Sequence, residues 1–479
     1  MPMSLSTTDL TRIKRLATTL TGPLFPSEFD YKTTEYSGTP IVGAGSTVFV
    51  ISCIDPRFTY AVEQYLLAQL GPGTTYDLFV LAGAAMGGIL TGNGVSVPSC
   101  SLVSVNNNWR ETLFDHLQVA ITLHNVSKIY IIDHSGCAAY GVCGATDTIA
   151  GHKANFDTLK SAIVAGTFYA NGSANPTSTT TVFSAGNITG LYFDTPLGLT
   201  TTLKDYTAGT PGNVIGTYTY PATSGAKVLV LGCIDPRFSE LLSSFLVNYK
   251  DVQFTYDLFI TAGSSLGVNQ SYNLDGSQRA DNTTGDAYPQ NLLAVTGSGK
   301  IGKMGHNWGP TFFDHLSVAV QVHNISEVWV FDHLDCGAYK NIKLASGGSA
   351  SATDLDPLPH MFELQKIQGY IKTAQPSLGF KGFIMDTAGE ITKMIDDSSG
   401  INMDIRKSPG SSKIRTPASE YIDTIAKSSA DYVLVSQYSG AIGSTGMGSS
   451  FGRKLTVTKL TPTPGTTRVL ETKVGARIY

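Results

Sequence analysis

The hexapeptide CIDPRF occurs twice, at 53–58 and at 233–238, each time directly after an apolar run, VFVIS or VLVLG. A thiol, a carboxylate and a guanidinium therefore recur at fixed spacing: Cys53, Asp55 and Arg57, then Cys233, Asp235 and Arg237. Later in each half comes a histidine three residues before another cysteine, His134 with Cys137 and His333 with Cys336. Two soft thiolates and one imidazole suit zinc, and three protein ligands leave a fourth position for water or a nearby carboxylate. Asp55 and Asp235 are the nearby carboxylates. An arginine two residues on can pair with each, lowering its pKa and keeping it ionised.

These residues need a scaffold that brings distant segments together, and the chain carries it in duplicate. Cys53 and Cys233 lie 180 residues apart, as do the first residues of YDLFVLAG at Tyr76 and YDLFITAG at Tyr256. From Asn108 and Asn307 two longer matching stretches run through the HxxC pairs at an offset of 199, so the second copy holds 19 extra residues in a polar, Gly/Asn-rich loop. A third block matches GLYFDTPLG at Gly190 with GFIMDTAGE at Gly382. The runs VFVISC, DLFVLAG and KIYIID, with VLVLGC, DLFITAG and EVWVFD, read as strands. Phe114, Leu117, Ala120, Ile121 and His124 recur at helical spacing, as do Phe313, Leu316, Ala319, Val320 and His323. Alternation of strand and helix predicts an α/β fold with a mostly parallel sheet flanked by helices in each copy. Ligands of such sheets bind beyond the carboxyl ends of the strands. The cysteines and histidines fall there.

With CxDxR followed by HxxC, each copy resembles the β-class carbonic anhydrases, over roughly 45–203 and 225–395, about two thirds of the chain. The resemblance implies two tandem domains of that fold, a dimer fused into one chain. It implies one zinc per repeat, on Cys53, His134 and Cys137 and on Cys233, His333 and Cys336. Asp55 with Arg57, and Asp235 with Arg237, would be the catalytic dyads. The implied reaction is reversible hydration of carbon dioxide to bicarbonate, zinc bringing the pKa of bound water toward ~7. Several positions depart from the family. Pro56 and Pro236 stand where serine is usual, VLAG and ITAG replace RNAG, Asp133 and Asp332 precede the histidines in place of glycine, and Ala138 replaces a glycine kept as Gly337.

Composition sets the remaining bounds. Charged residues make up 15% of the 479, below the ~25% of ordinary domains, and the net charge is -4. No basic field attracts nucleic acid or anionic lipid, and no apolar run approaches the ~18 residues of a membrane helix. A soluble, intracellular protein of the cytoplasm or an organelle such as a plastid is expected. Paired disulfides within each copy are the competing use of the four motif cysteines. Without a secretory signal, free thiols are expected there and at Cys100 and Cys143. His116 and His315, on matching helices, read as surface or packing residues. The predicted organisation is an N-terminal arm (1–44), repeat 1 (45–206), a linker (207–224), repeat 2 (225–396) and a β-rich C-terminal extension (397–479). The low charge and this extension support an alternative, a self-assembling lattice or shell protein on the same fold, for example enclosing a carbon-fixing compartment such as a pyrenoid. A homo-oligomer, or higher assembly through the extension, is expected.

Overall fold

The computed structural model describes residues 33–38, 40–41, 46–71, 75–90, 109–166, 168–169, 179–194, 198–210, 212–220, 225–248, 252, 255–269, 308–340 and 357–397, and the backbone of 432–438, 453–461 and 469–478. Most of the N-terminal arm, Cys100 and most of the inserted loop lie outside them.

The first strand, β1 (Thr33–Ser37), precedes repeat 1. Repeat 1 then runs β2 (Val48–Ser52), α1 (Pro56–Leu70), β3 (Asp77–Val80), α2 (Trp109–His124), β4 (Lys128–His134), α3 (Ala138–Val142), α4 (Ile149–Ala165), a short β5 (Phe168–Tyr169) and β6 (Thr179–Thr180), β7 (Ile188–Phe193), β8 (Thr200–Asp205) and β9 (Asn213–Thr219). Its sheet has the order β3-β2-β4-β7-β8-β9. The first four strands pair in parallel and the last two antiparallel. β2 is buried along its whole length, as a strand covered on both faces by helices must be. The stretch expected as a linker thus supplies β9, an edge strand of this sheet.

Repeat 2 repeats the plan: β10 (Val228–Cys233), α5 (Ser239–Asn248), β11 (Tyr256–Thr261), α6 (Ser265–Asn269), α7 (Trp308–Val318) continued by a π-helical turn over Ala319–His323, β12 (Glu327–His333), α8 (Pro357–Ala374), β13 (Gly379–Met385) and β14 (Glu390–Asp396). The sheet order is β11-β10-β12-β13-β14-β1, so residues assigned to an N-terminal arm furnish its edge strand. Gly190 sits opposite Ile131, and Gly382 opposite Val330, which confirms the third repeated block as the same strand in both copies.

Most of both repeats belongs to one compact unit, Glu35–Ser271 with Gln278–Ile391. Within it the paired helices α2 and α7 exchange reciprocal bonds. Trp109 Nε1 donates to Asp314 (2.8 Å), Trp308 Nε1 donates to Asp115 (2.9 Å), and the hydroxyls of Thr112 and Thr311 meet at 2.7 Å. Such reciprocity is the signature of an isologous, two-fold contact, here between two halves of one chain. The second unit includes Thr392–Tyr479. There β15 (Tyr432–Tyr438), β16 (Arg453–Thr461) and β17 (Val469–Ile478) form a three-stranded antiparallel sheet, in keeping with a β-rich extension.

Candidate metal centres

The parallel register places Ile51 beside Ile131 and Ser52 beside Ile132, so the carboxyl ends of β2 and β4 are neighbours. Cys53 follows β2, His134 ends β4, and Cys137 caps the short α3. Their ligating atoms lie within 4.8 Å of one another, and all three residues are buried. Cys233, His333 and Cys336 form the same group in repeat 2. The sequence-predicted ligands are therefore brought together in both copies, and all four cysteines are free.

Two observations show that the groups fit a cation. His134 and His333 each place Nδ1 2.9 Å from the carbonyl oxygen of the next residue, so Nδ1–H donates there and Nε2 is the atom left to take a proton or a cation. Both Nε2 atoms are buried without a hydrogen bond, a costly arrangement unless something else satisfies them. The electrostatics agree. Burial pushes the Cys53 thiol up, but the bond from Cys137 and the charge of His134 outweigh it and hold Cys53 well below the usual thiol range. Cys137, bonded to that sulfur and buried, is pushed up. Burial disfavours charge on His134, yet Cys53 and Asp55 raise it to about 9. Cys233, Cys336 and His333 behave in the same way. The group concentrates negative charge around an open imidazole nitrogen, and a soft divalent ion matches that donor set.

The carboxylate beside each group is held rigidly. Asp55 caps α1, its Oδ1 accepting from the Arg57 amide at 3.0 Å, while Arg57 Nε donates to Oδ1 at 2.8 Å and Nη2 donates to Oδ2. Asp55 Oδ2 stands 3.8 Å from His134 Nε2. Asp235 is bound to Arg237 in the same way and stands 3.8 Å from His333 Nε2. Burial raises both acids, but the arginine bonds win, and Asp235 falls to about 2. Pro56 and Pro236 now have a physical reason: each opens a helical turn behind a capping aspartate, where a missing N–H costs nothing. The VLAG and ITAG loops also keep a role. Gly83 and Gly263, at φ +78° and +77°, donate their amides to Cys53 and Cys233 at 3.3 and 3.2 Å. Asp133 and Asp332 anchor the same loops, accepting from the amides of Ala85 (3.1 Å) and Ser265 (3.0 Å).

Other residues of the site escape a reading of one repeat at a time. The cleft over the second group, about 390 Å³, is lined by Cys233, Asp235 and Arg237 and also by Val119, Leu123 and His124 from α2 of repeat 1. His124 Nδ1 meets buried Asp77 at 2.6 Å, and Asp77 is pushed up to about 6, chiefly by burial. The counterpart pair, His323 and Asp257 at 2.9 Å, feels the charges of Asp55 and Cys53 in the first group. His116 and His315, expected as surface or packing residues, are fully buried and bond across the repeats. The signal available was their recurrence, together with His124 and His323, at the same offset of 199 as the HxxC ligands. Cys143 corrects an expectation: it is disulfide-bonded rather than a free thiol.

Fold and site together define a mixed α/β protein with two mostly parallel sheets and two buried Cys-His-Cys groups able to hold a metal ion. Among the described residues, no helix is long and apolar enough to cross a membrane. No known family profile matches the chain. Part of it is similar to an uncharacterized protein of Rickettsia bellii, 31% identical over 90 residues, covering 19% of this chain and 54% of that protein. An uncharacterized protein of Rickettsia conorii is 28% identical over 100 residues, covering 20% of this chain and 45% of the relative. The chain spans about half the length of these curated relatives.

Proposed function

We propose that the chain is a zinc-dependent enzyme of the β-class carbonic anhydrase kind, a fused pseudo-dimer with one zinc per repeat that interconverts carbon dioxide and bicarbonate. The observation that carries this reading is the repeated set of a buried, unbonded imidazole nitrogen, two thiols and an arginine-held carboxylate 3.8 Å away. Zinc held there supplies Lewis acidity and acidifies a bound water toward neutral pH. Asp55 and Asp235, kept ionised by Arg57 and Arg237, accept a hydrogen bond at Oδ2 and orient the reacting group. Val119 and Leu123 give one wall of the second cleft an apolar surface suited to a small neutral molecule. His124, its Nδ1 bonded to Asp77, lines the second cleft and is the titratable group there suited to relay a proton. Metal analysis and stopped-flow hydration assays on one sample purified under reducing conditions test the proposal. Two zinc ions per chain with hydration activity are expected; absence of metal removes it.

The C-terminal sheet favours a second reading, a self-assembling lattice or shell protein on this fold. In the order β15-β16-β17 the outer strands, seven and ten residues long, are edges, and such edges are templates for strand addition by another molecule. Deleting 454–479 is expected to leave both metal-binding repeats folded while reducing the assembly seen by light scattering. Identical small species before and after deletion would remove this reading.

A further inference from the structure

We infer that His116 and His315 are positioning residues acting across the repeats: each fixes the loop that points a backbone N–H at the first metal-ligand cysteine of the opposite repeat. In repeat 1 consecutive amides do different work. Ala82 N–H donates to His315 Nε2 at 2.8 Å, and Gly83 N–H donates to Cys53 Sγ at 3.3 Å. In repeat 2 Ala262 N–H donates to His116 Nε2 at 2.9 Å, and Gly263 N–H donates to Cys233 Sγ at 3.2 Å. Moving the first amide of either pair turns the peptide that aims the second.

The tautomer of both rings follows from their partners. His116 Nδ1 faces the Thr112 carbonyl and His315 Nδ1 the Thr311 carbonyl, both at 2.7 Å, and a carbonyl can only accept. The backbone N–H at Nε2 can only donate. Each ring is thus neutral with its proton on Nδ1, and a proton on Nε2 would set two donors against each other. Burial keeps them neutral, pushing His116 down to about 3 and His315 to about 4. Aromatic neighbours from both repeats clamp the rings. His315 lies 4.3 Å from Trp109 and 4.8 Å from Phe259, and His116 lies 4.4 Å from Trp308 and 4.6 Å from Phe79. Outer partners that orient a metal ligand commonly change affinity by about 10- to 100-fold when removed. Here the partner of each site resides in the other half of the chain.

The inference rests on the metal-site reading for its purpose, but its geometry can be tested without metal. In metal-free protein, iodoacetamide labelling of Cys53 and Cys233 is followed by mass spectrometry for His315→Leu, which removes the acceptor, and His315→Gln, which offers an oxygen near the place of Nε2. His315→Leu is expected to change the Cys53 labelling rate at least several-fold while Cys233 stays within about two-fold, and His315→Gln to restore most of the difference. His116→Leu should show the crossed pattern. Equal changes at both cysteines, or no change at Cys53, would overturn the inference. Should the leucine variants not fold, nitrogen-15 NMR of the wild-type rings at pH 7 decides it: neutral Nδ1–H forms for both support it, and imidazolium or Nε2–H forms refute it. Zinc release to a chelator adds the metal readout. A wild type that holds no zinc, together with variants that show the crossed labelling pattern, would sink the proposed function and leave this inference standing.

Discussion

The two candidate centres share ligands, carboxylate and arginine, yet their mouths differ. In the first, the residue between histidine and cysteine that faces Arg57 is Gly136, whose carbonyl accepts from Nη2 at 2.8 Å. In the second it is Asp335, whose carboxylate takes Arg237 Nη1 at 2.8 Å, whose carbonyl takes Nη2 at 3.0 Å, and which pairs with Lys340. Gly141 is the counterpart of Lys340 in the first repeat. Both residues adopt a left-handed backbone, φ +65° for Gly136 and +63° for Asp335. That conformation is free for glycine and tolerated by aspartate among the few side chains that visit it. A Cβ on Gly136 would meet only the Arg57 Nη atoms, at 4.0 Å, so the space for a carboxylate exists in the first site as well. Duplication preserved the ligand geometry, while the rim was free to diverge. Arg237 is committed to two carboxylates, Arg57 to one.

The largest expected effect separates the sites. Cys53→Ser and Cys233→Ser should each lower bound zinc from two ions per chain to one, with affinity at the altered site falling more than ~100-fold. Competition titration against a chromophoric chelator measures it. Retention of two tight ions would show that the groups do not act as separate centres.

Next, Asp55→Asn and Asp235→Asn, each in a protein with only its own site intact, should slow hydration by about 10²-fold or more while leaving metal bound. Stopped-flow rates beside metal content decide this, and an unchanged rate in one of them would assign the activity to something other than that dyad.

Acid should weaken both cross-repeat anchors. The folded-state pKa values of His315 and His116, about 4 and about 3, lie below the ordinary 6.5. A depressed histidine contributes stability that is fully present above pH ~6.5 and is lost as pH falls through the folded value. Each ring should therefore cost about 2 kcal/mol between pH 7 and pH 5 as the unfolded chain takes up the proton. Urea melts at the two pH values should show this loss, reduced in the His116→Gln, His315→Gln double variant.

The smallest effect concerns the rims. Asp335→Gly should free Arg237 and cost about 0.5–1 kcal/mol, since the ion pairs it breaks are partly exposed. Inhibition of the second site by bicarbonate should move within a few-fold of that of the first. Gly136→Asp should shift the first site toward the second. If neither exchange alters anion inhibition, the rim difference has no bearing on function.

Much of this architecture is legible without coordinates. The centres of the runs VFVIS, VLVLG and KIYIID are continuously apolar, the pattern of a strand covered on both faces. CxDxR and HxxC each recur with their internal spacing intact, at offsets of 180 and 199, which marks Cys53, His134 and Cys137 and their counterparts as one constellation. Edge strands were harder to read. β9, in NVIGTYT, is mostly exposed and lies in a stretch that reads as a linker, and β1 is a five-residue segment, TTEYS, whose pairing comes from the far end of repeat 2.

The sequence by itself determined which side chains could ligate, because ligation depends on residue type and on local spacing at strand ends, and both are written in the chain. It also determined that the fold is duplicated. Only the tertiary structure decided what the duplication does. His116 serves Cys233 and His315 serves Cys53, His124 lines the second cleft, and Trp109 bonds Asp314, across separations of about 110 to 260 residues. A histidine in a helical stripe has the same local signature whether it packs, titrates or accepts a bond from another domain. Its role is set by what the opposite surface brings within 3 Å, and no local pattern encodes that.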